Sequence, residues 1–69
     1  MASELRRGSV FWADEGWDGG FLFLALRVGG RSGRRDAVEL LVLDGPMLVG
    51  QTLRWKLSDA RIKRRKDVV

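Results

Sequence analysis

The chain has 69 residues, 13 basic and 9 acidic, and a formal charge of +4, which allows one domain with a core near the lower size limit for unaided folding. With no Cys and no His, disulfides and the usual structural zinc sites are excluded, and the further absence of Tyr removes the common nucleophile and base pairings of catalysis. No run resembles a signal peptide or reaches membrane length, so the reading is a cytoplasmic, non-enzymatic chain with no metal, cofactor or membrane, for which self-association is the remaining way to stabilise a small core.

Residues 1–7 show no usable periodicity and are expected to form a flexible basic arm carrying Arg6 and Arg7. Gly8 opens Ser9-Val10-Phe11-Trp12-Ala13-Asp14, rich in β-branched and aromatic types, which predicts a first strand. Either Val10 and Trp12 or Phe11 and Ala13 face inward; the alternation does not choose. The following acidic loop, residues 14–20, contains Asp14, Glu15 and Asp18 around Trp17. That carboxylate cluster lacks the spacing of a calcium loop and reads as a solvated turn, with Trp17 available for contact with a protein.

Residues 21–28, Phe-Leu-Phe-Leu-Ala-Leu-Arg-Val, lie between two Gly-Gly pairs and are too short for a useful helix. They predict a strand with two apolar sides: Leu22, Leu24, Leu26 and Val28 on one, Phe21, Phe23, Ala25 and Arg27 on the other. A loop with Gly29, Gly30, Gly33 and three arginines leads into a third strand over 37–44, in which Val38, Leu40 and Val42 share a face opposite Ala37, Glu39, Leu41 and Leu43. If these two strands pair, Phe21, Phe23 and Ala25 lie beside Leu41 and Leu43. Together they form an outward apolar patch suited to a homo-oligomer interface or a protein partner.

Asp44-Gly45-Pro46 ends that strand, and Met47-Leu48-Val49 forms an unusually apolar connection. In residues 51–57, Leu53, Trp55 and Leu57 are expected inward and Thr52, Arg54 and Lys56 outward. Beyond Ser58-Asp59-Ala60, a possible helix cap, no apolar stripe recurs at helical spacing. One tight helical turn followed by a short fifth strand is therefore expected, with Ile62 inward and Arg61 and Lys63 outward, and residues 67–69 as a disordered tail.

Four strands followed by a helical turn and a fifth strand predict an all-β fold, a five-stranded antiparallel SH3-like barrel over residues 8–66. The alternatives are an open meander that closes on dimerising and a four-stranded sheet with a helix over 58–66. Arg7-Gly8-Ser9-Val10-Phe11-Trp12-Ala13-Asp14 resembles the first strand of the MazF/PemK ribonuclease toxins, which share that barrel. Gly20 stands where their next strand opens on Arg-Pro, so the resemblance implies the barrel and not the ribonuclease activity. Size, charge and strand plan are also similar to the small archaeal chromatin barrels, which lay a basic triple-stranded sheet with a Trp on DNA; this chain uses Arg more than Lys.

Positive charge concentrates late in the chain. Residues 51–69 hold seven basic side chains (Arg54, Lys56, Arg61, Lys63, Arg64, Arg65, Lys66) against Asp59 and Asp67, a net of +5, whereas residues 1–50 net −1. Such a group suits backbone-directed binding of nucleic acid through strands four and five, without a helix to read bases. The competing reading is a protein-interaction module, such as an accessory protein of a phage, gripping its partner through the apolar face of strands two and three. Under that reading the basic face serves solubility.

Overall fold

The computed structural model describes residues 5–14, 20–29 and 36–68. Expectations placed on the acidic loop (Glu15, Trp17, Asp18) and on the loop containing Gly30 to Arg35 lie outside the described residues.

Five strands form in chain order: β1 (Val10–Ala13), β2 (Phe21–Val28), β3 (Ala37–Asp44), β4 (Thr52–Lys56) and, after helix α1 (Leu57–Lys63), β5 (Arg64–Asp67). They build one antiparallel sheet in the order β4-β3-β2-β1-β5. The all-β class and the helical element before the last strand agree with the sequence reading. The helix is longer than the single turn expected, and Ile62, expected inward, is 80% exposed on it.

No linker separates β4 from α1 or α1 from β5. At about 4.8 Å between neighbouring strands, a flat sheet would hold its two edges roughly 19 Å apart. Seven helical residues rise only about 10 Å. The sheet must curl to let so short a helix join its edges, and the curl makes one face concave.

That concave face holds the core. Phe11 and Ala13 of β1, Phe21, Phe23 and Ala25 of β2, and Val38, Leu40 and Val42 of β3 are buried, with Leu53 and Trp55 of β4 packed against them. Phe23 is the hub: its ring lies 5.8 Å from Phe11, 5.7 Å from Phe21 and 4.9 Å from Trp55, the last edge-on. Ala60 of α1 closes the cluster, and Leu5 inserts into it at 3% exposure. Leu5 to Arg7 are therefore part of the globule, not of a free arm. Ser9 donates its N–H to the carbonyl of Arg6, and Arg6 returns its own to Ser9 Oγ. At the other end Asp67 belongs to β5 and the N–H of Val68 donates to the carbonyl of Val10, so residues 67 and 68 are paired where a loose tail was expected.

One expectation about facing is overturned. Phe21, Phe23 and Ala25 do not share a surface with Leu41 and Leu43, since Phe23 pairs with Val42 and Ala25 with Leu40, all four buried. The misleading residue is Arg27. Its charge suggests that every residue of its parity in β2 faces water, but a bulge lies between Ala25 and Arg27. A bulge reverses facing along a strand, so Ala25 points in while Arg27, opposite Glu39, points out.

Candidate docking face of the sheet

The seven cations of the last quarter are dispersed, because β4 and β5 are opposite edges of the sheet and α1 takes up residues 57–63. Arg65 Nη2 lies 2.7 Å from Asp14 Oδ2, and Arg64 Nε lies 3.6 Å from Asp67 Oδ1. Lys63 sets its Nζ 4.9 Å from the centre of the Trp55 ring, a cation–π contact. Arg61 and Lys63 ride on α1, not on β5 as expected, where they meet the negative end of the helix dipole. Arg54 and Lys56 alternate with the inward Leu53 and Trp55, so both extend from the convex face of β4. Lys66 sits opposite the outward Trp12 and extends from that same face at the other edge.

Cross-strand pairing builds this convex face in rows, because directly opposed residues share a side of the sheet. One row runs Val10, Leu24, Leu41, Thr52 across β1 to β4. The next runs Lys66, Trp12, Leu22, Asp44 across β5 to β3. A third runs Arg27, Glu39, Arg54, and beyond it Ala37 stands opposite Lys56. The middle three strands thus present Val10, Trp12, Leu22, Leu24 and Leu41, all half-buried, and both margins carry cations. The described segments that cover the sheet, Leu5 and α1, both contribute to the opposite, concave side.

Exposed apolar side chains also occur near the end of β3 and in the β3–β4 turn: Leu43 is 39% exposed, Met47 43%, Leu48 38% and Val49 56%. Leu48 holds φ at +66°, a left-handed conformation costly for a branched side chain. The turn is closed by backbone bonds from Gly50 N–H to the Val42 carbonyl and from Gln51 N–H to the Leu48 carbonyl.

Comparison with protein-family models, curated proteins and solved structures finds no match. The site is therefore argued from its own chemistry. Among the described residues no group of three or more Asp, Glu, His or Cys side chains is arranged to hold a metal ion, and no helix is long and apolar enough to cross a membrane.

The sequence pattern left the facing of Val10 undecided and put Leu22 and Leu24 on the side opposite the expected outward patch. The signal that could have found them is volume: three Phe rings fill a small core better than leucines alone, and Phe11, Phe21 and Phe23 all lie at positions that the β1–β2 pairing puts on one side.

Proposed function

We propose that this chain is a small β-sheet binding module on an SH3-like frame, which acts by holding a protein partner on the convex face of its sheet. One observation carries the reading: an apolar centre of Val10, Trp12, Leu22, Leu24 and Leu41 on β1, β2 and β3, with Arg54 and Lys56 on the β4 edge and Lys66 on the β5 edge. That is the layout of a recognition surface, a desolvated apolar middle inside a charged rim. Covering the exposed remainder of each such side chain is worth on the order of 1 kcal/mol. Binding, with no chemistry performed on the partner, is the whole of the proposed activity.

Nucleic acid is the second reading, favoured by Trp12 lying opposite Lys66 with Arg54 and Lys56 across the sheet, an arrangement able to stack one base and neutralise phosphates. The aliphatic rows between them offer a nucleic acid no stacking surface and no hydrogen bonds. Protein is favoured for that reason.

A photo-crosslinking amino acid at position 24, with position 58 on α1 as control, tests both readings in cells. Protein adducts specific to position 24 are expected. Adducts dominated by RNA or DNA would replace the first reading with the second, and equal labelling at both positions would overturn both.

A further inference from the structure

Resting on that reading, we infer that the occupant of the convex face is an amphipathic helix whose apolar stripe is bordered on both sides by acidic residues. Width comes first. Three strands at about 4.8 Å spacing make an apolar centre roughly 14 Å across, close to the 10–12 Å diameter of one helix. Successive outward residues of a strand stand about 6.8 Å apart, near enough to the 5.4 Å helical turn for a stripe at i, i+3, i+4 and i+7 to meet row after row.

Charge selects the flanks. Lys66 stands at the β5 margin, Arg54 and Lys56 stand at the β4 margin with Arg27 beside Glu39, and a helix lying between them would bring its two borders over these groups. Asp44 closes the Trp12–Leu22 row on the β4 side, but Arg54 and Lys56 outnumber it there, so on balance acidic borders are attracted at both margins and basic borders repelled.

A second copy of the chain fits less well. Stacking two such faces with matching margins draws Lys66 onto Lys66 and Arg54 and Lys56 onto their counterparts.

The test uses the full chain labelled with ¹⁵N and two synthetic peptides of about 18 residues. Both carry the same Leu stripe, one bordered by Glu and one by Lys. Titration with the Glu-bordered peptide is expected to move the amide signals of β1, β2 and β3, with the Lys-bordered peptide binding at least tenfold more weakly. The double variant Arg54→Glu, Lys66→Glu changes only surface side chains and is expected to reverse that order. Equal binding of the two peptides, binding of neither, or a preference unchanged by the double variant would overturn the inference. So would light scattering that shows a dimer whose formation protects these same amides. If the peptides fail while position 24 still crosslinks to a protein, the helical partner is wrong and the docking face stands; if crosslinking fails too, both fall.

Discussion

Phe23 and Leu24 are neighbours in one strand with opposite tasks. Phe23 is fully buried among Phe11, Phe21 and Trp55, so Phe23→Ala removes the hub of the aromatic cluster and should cost about 3–5 kcal/mol. In a domain this small that is most of the total stability, and circular dichroism should show a largely unfolded chain. Leu24→Ala, on the convex face, should cost about 1 kcal/mol or less in urea titration while weakening partner capture. Gly20 is constrained differently. Its φ is +64° and a Cβ there would lie 2.8 Å from the Ala13 carbonyl oxygen, a backbone atom that cannot swing aside. Gly20→Ala should therefore destabilise by about 2 kcal/mol or more, measured by the same titration. The sequence marks Gly20 as a turn residue, but the contact that forbids any side chain exists only once β1 and β2 have paired.

At the scale of elements, α1 shows how a segment without strong local signals becomes helical. Seven residues are too few for a stable isolated helix, and the residue before it, Lys56, offers no side-chain cap. The missing acceptors come from Asp36, far away in sequence. Its carbonyl accepts the N–H of Leu57 at 3.0 Å and its carboxylate accepts that of Ser58 at 3.3 Å. Asp36 thus acts as an N-cap supplied from the start of β3, its negative charge beside the positive end of the helix. Asp36→Ala should cost about 1 kcal/mol, and Asp36→Asn should recover part of it. Thermal melts that show no loss for either variant would count against this role. Ser58, expected as a possible local cap, instead lies inside the first turn. By contrast the Arg65–Asp14 pair, with side chains 69% and 38% exposed, is screened by water, and Arg65→Ala should change stability by no more than about 0.5 kcal/mol. The cations on β4 and β5 have a further consequence at this scale. Both are edge strands, and Arg and Lys there discourage unwanted strand pairing.

For the whole molecule, the governing fact is that one curled sheet has two apolar sides and the described chain covers only the concave one. Replacing Leu24 and Leu41 together by Thr should lower the melting temperature by no more than roughly 8–16 °C without unfolding the chain, since each is worth about 1 kcal/mol or less and 1 kcal/mol corresponds to about 4–8 °C in a domain of this size. The same double variant should lose most of its binding of a hydrophobic fluorescent dye. A collapse of the fold would show that these leucines are structural, and undiminished dye binding would show that the apolar surface lies elsewhere.

The strands, their order in the chain, the breaks between them and the late concentration of positive charge are local properties, and periodicity and turn chemistry were enough to find them. Periodicity also sorted the regular stretches into two sides, as Val38, Leu40 and Val42 illustrate, but not β2 beyond its bulge or the segment that became α1. Which side of β2 faces the core is another matter, because both are apolar and alternation has no sign. That choice fell to the return of α1 and Leu5 onto one face and to a bulge that turned Arg27 away from Ala25. The dispersal of the basic residues was equally invisible in one dimension: residues 54 and 66 are close along the chain, yet they stand on opposite edges because pairing, not sequence distance, sets the order of strands in a sheet.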